Sequence, residues 1–515
     1  MKLPGWFRPI ALLIGLSTLL NSPAPGAETW LVRLYVREVP IKILGKKETV
    51  IAIEQESGAL GLELKTADTF NVEVVNQLKE PTSIHWHGIV LPALMDGVPF
   101  VSQDPIPPGG SFHYQFPLKQ SGTYWMHSHY GLQEQLLAAA PLILGGEEQN
   151  AKADEQYVIL LGDYSFKPPG QILRQLKAGM KKMAGTGGMK KMSGMGRAPT
   201  TQKLLTQKWL DDGHGLVSTV IDGELPDTDV KYDALIANRR TFDDPDIFRV
   251  KPGHTVLLRI IAGSAATNFF VNTGSLNSQL VATDGQDITP VSGDFFQLGI
   301  AQRIDLLVKI PDEGGVFPIV AQGEGTRQLC GVVLATEGKM VPKMPLAAKF
   351  PAAGLDNTQE LRLTAKSPLS QKAVDRSLAC VLGGSMAKYI WTINGTVYPN
   401  HDSLDVKEGE RVEIVFRNET GMAHPMHLHG HDFQVTEIDG QKVTGAVRDT
   451  LLVPPQSTMK AIFDANNPGV WAFHCHILYH AAVGMFTVLK YDGADTRFWQ
   501  PEKTLTELSP KTAGR

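Results

Sequence analysis

The stretch GVWAFHCHILYHAAVGMF (469–486) decides how the rest of the chain is interpreted. It places one cysteine, Cys475, between two histidines, and it continues with His480 and Met485. A thiolate, an imidazole and a thioether on a long axial bond are the ligands of a blue-copper electron-transfer site. Successive side chains on a strand face opposite ways, so the two flanking histidines would point away from the thiolate. The tripeptide is therefore predicted to join one copper to a second copper centre.

Three similar segments divide the chain. Each has a lysine, a short turn and then alternating apolar residues, which is the pattern of a half-buried strand bounded by a turn. A shared glycine, followed by apolar residues, recurs downstream of each segment. The first pattern occurs at 64–78, 250–264 and 406–420, and the second at 122–127, 315–320 and 469–474. This repeat predicts an all-β chain of three tandem β-sandwiches of the Greek-key type.

The repeat also gives the predicted domain boundaries. The three units span 28–148, 153–342 and 350–492, and a polar tail covers 493–515. The 50 glycines and 33 prolines are in keeping with a turn-rich all-β protein. A net charge of −4 with 20% charged residues gives no indication of nucleic acid or a membrane surface as a partner. We expect a monomer.

Residues 1–27 are predicted to be an export signal. Basic residues precede an apolar run from Ile10 to Leu20, and small residues close the segment before a cut after Ala27. The run is shorter than the ~20 residues that a membrane span needs, so stable membrane insertion is not expected. The protein is therefore expected to be periplasmic or secreted and to acquire its metal outside the cytoplasm.

The repeat shows where metal can bind. The first and third units each carry two His-x-His pairs at matching distances from the shared lysine and glycine, and the middle unit carries none. Alternate residues on a strand face the same way, so each pair presents both imidazoles on one face. Two such units would bring together eight imidazoles, enough for three coppers with positions left open for oxygen. The eight are His85, His87, His127, His129, His427, His429, His474 and His476.

A further set of ligands occurs only in the third unit. His424 lies just before one His-x-His pair, and Cys475, His480 and Met485 align with residues of other types in both other units. Only one thiolate is therefore available to accept electrons. Most methionines are core residues, but the position of Met485 ten residues after Cys475 favours an axial ligand.

Four sequence runs together resemble the copper-binding motifs of three-domain multicopper oxidases. The resemblance is closest to the bacterial copper-resistance (cuprous) oxidases, and it extends to laccase-like members. It implies three cupredoxin domains with a trinuclear copper cluster between the first and third. It also implies four one-electron oxidations at a type 1 copper, coupled to reduction of O₂ to two waters. The runs are HWHG (85–88), HSHYGLQEQ (127–135), HPMHLHGH (424–431) and HCHILYHAAVGM (474–485).

The same resemblance implies which side chains hold each of four coppers. His85 and His427 would hold the type 2 copper. The type 1 copper would be held by His424, Cys475, His480 and Met485. The type 3 pair would be held by His87, His127, His129, His429, His474 and His476.

Oxygen reduction also consumes protons. Asp96 in MDGVP (95–99) matches an acid beside the copper cluster in relatives, although an Asp before Gly is also an ordinary turn residue. Relatives often carry a Glu shortly after the last type 1 histidine, where this chain has Ala481 and Ala482. Either another acid or a water chain supplies the protons, or turnover is slower.

Residues 180–197, MKKMAGTGGMKKMSGMGR, contain five of the chain's 15 methionines. Thioethers select Cu(I), so the segment could collect copper near the type 1 site. Its glycines and lysines leave no regular apolar face, and it is expected to be a mobile loop or disordered. The basic residues repel cations, so an insert without a ligand role, or a segment that touches anionic surfaces, is an alternative.

The expected function is oxidation of Cu(I) in copper tolerance, with O₂ as acceptor. Phenols or other small organic donors are alternative substrates, and Fe(II) is a third possibility. A copper-sequestering resistance protein is an alternative of another class. The complete ligand set favours the enzyme, because sequestration needs no oxygen-reducing cluster. Cys330 and Cys380 could pair in an oxidising compartment or stay as two buried thiols.

Overall fold

The structure, a computed structural model, describes residues 31–65, 69–145, 153–184, 201–400 and 402–503. The predicted export signal, most of the methionine-rich insert and the end of the tail lie outside these residues. The described chain is 50% strand with few helices, so the all-β prediction is confirmed. None of its helices combines the length and the apolar character needed to cross a membrane.

The first unit is a sandwich of two four-stranded sheets. Its strands are β1 (Val32–Ile43), β2 (Lys46–Gln55), β3 (Leu62–Lys65), β4 (Thr69–Asn76), β5 (His85–His87), β6 (Ser111–Pro117), β7 (Gly122–His127) and β8 (Ala139–Gly145). One sheet has the order β2-β1-β4-β6 and the other β3-β8-β7-β5. Buried residues alternate with half-buried ones along β4, as its apolar periodicity predicts.

The middle unit pairs an eight-stranded sheet with a five-stranded one. Its strands are β9 (Glu155–Tyr164), β10 (Gln202–Leu210), β11 (Gly215–Gly223), β12 (Ala234–Ala237), β13 (Ile247–Val250), β14 (Thr255–Ala262), β15 (Phe269–Asn272), β16 (Ser278–Thr283), β17 (Gln286–Gly293), β18 (Phe295–Leu298), β19 (Arg303–Lys309), β20 (Val316–Gly323) and β21 (Leu329–Thr336). The sheet orders are β10-β11-β17-β16-β19-β14-β9-β12 and β13-β21-β20-β15-β18.

The third unit also pairs a large sheet with a smaller one, here of seven and five strands. Its strands are β22 (Arg376–Ser385), β23 (Ile390–Ile393), β24 (Leu404–Val406), β25 (Arg411–Asn418), β26 (His424–Leu428), β27 (Phe433–Ile438), β28 (Gln441–Lys442), β29 (Val447–Arg448), β30 (Thr450–Val453), β31 (Thr458–Asp464), β32 (Val470–Cys475) and β33 (Phe486–Tyr491). One sheet has the order β23-β22-β25-β31-β27-β28 with β29 beside β27, and the other β24-β33-β32-β26-β30.

The described part of the chain contains two α-helices, and residues of both line one cavity. Helix α1 spans Pro169–Ala184, and the short helix α2 spans Leu478–Ala482. Helix α1 includes the first five residues of the methionine-rich insert, where a mobile loop was predicted. Lysine, methionine and alanine favour helix, and the first glycine of the insert, Gly185, comes only after them. Met189, Met192 and Met195 lie outside the described residues.

Strand register places the histidine pairs opposite one another. In the first unit β5 pairs with β7 antiparallel and puts His85 opposite His127. In the third unit β26 pairs with β32 in the same way and puts His427 opposite His474. Residues of the first and third units also share one continuous apolar core, which a few middle-unit residues join, while most of the middle unit packs in a second core. The histidine-bearing strands therefore meet at a buried junction.

Candidate metal centre

One sulfur and two nitrogens converge in the third unit. Cys475 Sγ lies 3.7 Å from Nδ1 of His424 and 3.7 Å from Nδ1 of His480, and the two nitrogens are 3.2 Å apart. All three side chains are fully buried. Burial raises the pKa of the thiol and lowers that of His424, shifts that a bound cation would offset at the sulfur. Two imidazoles and a thiolate in this arrangement suit a mononuclear copper.

Backbone hydrogen bonds place Met485 next to Cys475 and His480. The N–H of Cys475 donates to the carbonyl of Met485 at 3.0 Å, and the N–H of Met485 donates to the carbonyl of His480 at 3.0 Å. The methionine side chain is completely buried. The turn after α2 therefore brings Met485 beside the Cys475 strand end, and its axial role stays a prediction.

The far edge of His480 is enclosed by residues that the sequence did not indicate. Its Nε2 lies 2.9 Å from a carboxylate oxygen of Asp229, a residue of the middle unit. Trp391 stacks on the imidazole with a centroid distance of 4.1 Å, and Tyr389 meets it edge-on at 6.2 Å. Contacts of this kind fix the orientation of a ligating imidazole.

The eight histidines of the predicted cluster come together without exception. His476 Nε2 lies 3.4 Å from His127 Nε2, and His474 Nε2 lies 3.3 Å from its counterpart in His129. Histidine ligand atoms that lie within 4.8 Å of one another form three groups: His85 with His87 and His427, His87 with His127 and His476, and His129 with His429 and His474. Each of these groups contains histidines from both the first and the third unit.

Several imidazole nitrogens here are buried and lack any hydrogen-bond partner. Five belong to the cluster, among them Nδ1 of His129 and Nδ1 of His476; the three considered next are Nε2 of His85, Nδ1 of His87 and Nε2 of His427. The opposite nitrogen of each ring is held, by the carbonyl of Asp96 at 2.9 Å, the carboxylate of Asp449 at 3.0 Å and the carbonyl of Asp449 at 2.8 Å, respectively. A buried polar atom without a partner is costly, and a metal ion satisfies it. The donor set therefore fits copper, which imidazoles bind well.

The protonation of these histidines suits metal binding. Burial disfavours the charged imidazolium, and metals bind the neutral ring. It lowers the pKa of His474 to about 4. The pKa is also lowered by burial in His87, His127, His129, His427, His429 and His476.

Asp96 lies where the sequence placed it, against the cluster. One carboxylate oxygen is 2.9 Å from Nδ1 of His429, and the other is 3.1 Å from Nδ1 of His85. Asp96 is completely buried. It thus contacts one histidine from each of the two units that form the cluster.

A second buried acid, Glu134, was missed by the sequence analysis. Its Oε2 lies 3.2 Å from Nδ1 of His127, and its Oε1 lies 3.8 Å from Nδ1 of His476. Burial raises the pKa of this carboxyl group. Glu134 and Ala481 line the same small cavity at the cluster. The only signal in the sequence is its place within HSHYGLQEQ, a few residues after His127.

A second cavity, of about 390 Å³, also borders α2. Aromatic and apolar side chains form most of its wall, and Lys177, Lys388 and Lys503 lie around it. Among the described residues that line it, none is acidic. Ala481 and Ala482 also belong to the wall, so the cavity adjoins the helix that carries His480.

The two remaining cysteines do not pair. Cys330 lies in β21 of the middle unit and Cys380 in β22 of the third, and both are buried free thiols. Each packs in the core of its own unit. Of the two alternatives that the sequence left open, the structure shows separate buried thiols.

Known proteins resemble this chain along most of its length. Three stretches match sequence profiles described as multicopper oxidase, at residues 35–148, 155–336 and 375–495. Multicopper oxidase MmcO of Mycobacterium tuberculosis is 34% identical over 82% of this chain and 79% of its own length. Copper resistance protein A of Pseudomonas syringae pv. tomato is 28% identical over 89% of this chain and 92% of its own. Laccase-1 of Cryptococcus neoformans is 28% identical over 83% of this chain and 74% of its own.

Solved structures share the fold. Fet3p, described as a multicopper oxidase that functions in iron import, superposes with a TM-score of 0.72 over 93% of this chain and 94% of its own, at 21% identity. The laccase from Botrytis aclada superposes with a TM-score of 0.69 over 94% of this chain and 91% of its own, also at 21% identity. At this identity the likeness concerns the fold, which consists of three cupredoxin-like domains.

Proposed function

Because the chain belongs to the multicopper oxidase family, we propose that it oxidises Cu(I) at a type 1 copper and reduces O₂ to water at a trinuclear cluster. The family makes it a copper-dependent oxidoreductase, with four coppers as the standard arrangement. Bound copper supplies one-electron redox chemistry. We propose which residues hold the copper, which donor supplies the electrons and where the protein resides.

The ligand assignment follows the groups described above. We assign His85 and His427 to the type 2 copper. The type 1 copper would be held by His424, Cys475, His480 and Met485. The type 3 pair takes His87, His127, His129, His429, His474 and His476.

One observation carries the oxidase assignment. Cys475 belongs to the mononuclear group, while its neighbours His474 and His476 belong to two different groups of the cluster. The thiolate is thus one residue away from imidazoles that face the oxygen-reducing side. A short covalent path therefore connects the place where electrons are accepted to the place where they are used.

Protons would come from buried carboxyl groups at the cluster. Asp96 holds its two oxygens against His429 and His85, so a proton on either oxygen lies beside the cluster. Glu134 occupies the opposite side, against His127. We propose both as acids in oxygen reduction, with Glu134 in place of the glutamate that relatives often carry next to the last type 1 histidine.

The position of helix α1 supports Cu(I) as the donor. Lys177 of α1 and Ala481 of α2 line one cavity, so α1 and the helix that carries His480 border the same space. Met180 lies one turn beyond Lys177, at about 1.5 Å of rise per residue, and begins the methionine run there. Thioethers select Cu(I), and the relatives include proteins named for copper resistance.

An organic donor is the second candidate, and the same cavity favours it. Its aromatic wall and its three lysines would suit an anionic aromatic molecule and would repel a cation. Tyr389 lines the cavity and contacts the His480 ring, which gives a bound donor a short path to the type 1 site. Proteins named laccase are among the relatives.

Oxygen uptake with each donor separates these candidates. The copper-loaded protein is compared with a variant whose five methionines between 180 and 195 are replaced by leucine, which keeps length and apolar character. If Cu(I) drives uptake and the leucine variant loses most of it, Cu(I) is the donor and the methionines deliver it. If a phenol carboxylate is the better donor and the variant is unaffected, the enzyme is laccase-like.

Sequestration is tested in cells. A Cys475→Ser variant keeps the methionine segment and lacks the thiolate that accepts electrons. If this variant protects cells from copper as well as the natural protein does, the protective role is sequestration and the proposed enzyme role fails. Loss of protection supports the oxidase.

Export and domain boundaries are proposed from the sequence. We propose that residues 1–27 direct the protein out of the cytoplasm, to the periplasm in a two-membrane cell. The proposed units 28–148 and 153–342 enclose two of the three stretches that match the family, and the third stretch, 375–495, extends three residues beyond the proposed unit 350–492. N-terminal sequencing of the protein from a periplasmic fraction tests the first proposal: an intact Met1 would contradict it.

A further inference from the structure

Asp449 touches two stacked imidazoles at the centre of the cluster. Its Oδ1 lies 3.0 Å from Nε2 of His87, and its backbone carbonyl lies 2.8 Å from Nδ1 of His427. The two rings stack with centroids 3.8 Å apart and planes 15° apart. One residue therefore accepts hydrogen bonds from two histidines that come from different units. The other nitrogens of the two rings, Nδ1 of His87 and Nε2 of His427, are among the buried ring nitrogens that have no hydrogen-bond partner.

The carboxylate of Asp449 is held by an arginine from the middle unit. Nη1 of Arg303 donates to Oδ1 at 2.8 Å, and Nη2 donates to Oδ2. The same guanidinium donates from Nε to the carbonyl of Thr123, in the first unit, at 3.1 Å. Arg303 is completely buried. It thus binds the other two units at once.

The glycine of the HWHG run provides independent evidence that this contact is built in. Gly88 has φ +86, and a Cβ there would lie 2.4 Å from Oδ2 of Asp449 and 2.5 Å from Nη2 of Arg303. Any side chain at this position would displace the ion pair. Gly88, directly after His87, therefore leaves room for the Arg303–Asp449 ion pair.

We infer that Arg303 and Asp449 form a positioning pair through which the copper-free middle unit fixes the orientation of one type 3 and one type 2 histidine. The inference rests on the ligand assignment proposed above. The two-pronged guanidinium holds the carboxylate in one plane. The carboxylate and the carbonyl then hold the N–H of each ring and turn its bare nitrogen toward the metal. Neither residue would touch copper or substrate.

The same interface offers a matched control. Arg259, also from the middle unit and completely buried, donates to Oδ2 of Asp305 at 3.1 Å and to Oγ1 of Thr123 at 2.9 Å. It therefore joins the middle unit to the first through the same threonine that Arg303 contacts, but it does not reach the third unit through these bonds. Its partners in the described chain include no histidine of the cluster.

The experiment compares Arg303→Lys, Asp449→Asn and Arg259→Lys in the full-length, copper-loaded protein. Lysine keeps the charge and loses the two-pronged geometry, and asparagine keeps the shape and loses the charge. The readouts are copper per chain, the type 2 electron paramagnetic resonance signal under titration with a chelator, the type 1 visible band, and the melting temperature of the copper-free protein. We expect the first two variants to weaken type 2 copper binding about 10- to 100-fold with the type 1 band intact. Arg259→Lys keeps both signals.

Two results would overturn the inference. If Arg259→Lys loses type 2 copper as readily as Arg303→Lys does, the effect comes from domain docking alone. If Arg303→Lys and Asp449→Asn retain type 2 copper, the pair does not position the two histidines. If Arg303→Lys does not fold, the test rests on Asp449→Asn. If Asp449→Asn loses the type 1 band together with the type 2 signal, Asp449 is a general folding contact and the inference is wrong. If the natural protein shows neither the type 2 signal nor the type 1 band, the proposed function itself is contradicted.

Discussion

Oε2 of Glu134 lies 3.2 Å from Nδ1 of His127, in a cavity that Ala481 also lines. The sequence resemblance leads us to expect a glutamate near Ala481, and the structure shows a buried carboxyl group from the first unit lining the same cavity as this alanine. This relationship makes Glu134 the first residue to test.

Glu134→Gln is expected to slow oxygen reduction by about 100-fold, the lower end of what a positioned acid contributes. The amide keeps the size of the side chain and its contact with His127, but it cannot supply a proton. Reoxidation of the fully reduced enzyme by O₂, followed in a stopped-flow instrument, measures the step. The type 1 visible band and the copper content serve as controls and should not change. An unaltered reoxidation rate would remove Glu134 from the proton supply.

Cys475→Ser is expected to abolish donor oxidation while the histidine cluster keeps its metal. The sulfur is the only thiolate in the mononuclear group, and serine is a poor ligand for copper. Copper per chain should fall from four to three, with the type 2 resonance retained. Donor oxidation that persists in the variant would mean that electrons enter elsewhere.

Asp432→Asn is expected to stabilise the copper-free protein more at pH 8 than at pH 5. Burial, with the nearby charge of Asp449, raises the pKa of Asp432 to about 8. In the unfolded chain the pKa is about 3.9, so between about pH 4 and pH 8 the folded state binds the extra proton. Stability is therefore lost as pH rises, by up to about 1.4 kcal/mol per pH unit. Melting temperatures of both proteins at the two pH values test this, and a gap that does not widen with pH would refute it.

Gly88→Ala is expected to weaken type 2 copper binding, as Arg303→Lys does. The added Cβ would meet Asp449 and Arg303 at less than 3 Å. Gly440→Ala is the control, because Gly440 has nearly the same backbone, φ +84, with nothing within 4 Å of a Cβ. Chelator titration of the two variants separates the contact from the backbone strain. Equal loss of copper in both would assign the effect to strain.

The features that sequence reasoning found are those that recur or cluster. Two His-x-His pairs, repeated at equal spacing in the first and third units, predicted a cluster between those units, and the structure brings all eight side chains together. Alternating apolar residues predicted strands such as β4 and β14. Regular patterns of this kind arise because strand geometry and shared ligands impose them.

Apart from Glu134, which lies within a histidine motif, the residues that sequence reasoning missed have no repeat or motif around them. Asp229 and Arg303 reach the sites from the middle unit, and Asp449 of the third unit contacts His87 of the first. Their positions depend on how three units dock, which local sequence does not encode. Helix α1 was missed for another reason, since the glycines that follow it concealed a helical start.

The most direct test of the proposed function is the number of Cu(I) ions oxidised for each O₂ consumed. Anaerobic Cu(I) is mixed with a known amount of dissolved O₂ and the copper-loaded enzyme, and Cys475→Ser measures the uncatalysed reaction. Reduction of O₂ to two waters takes four electrons, so the predicted ratio is four with no hydrogen peroxide. A ratio of two with peroxide, or uptake no faster than with the serine variant, would contradict the proposed function.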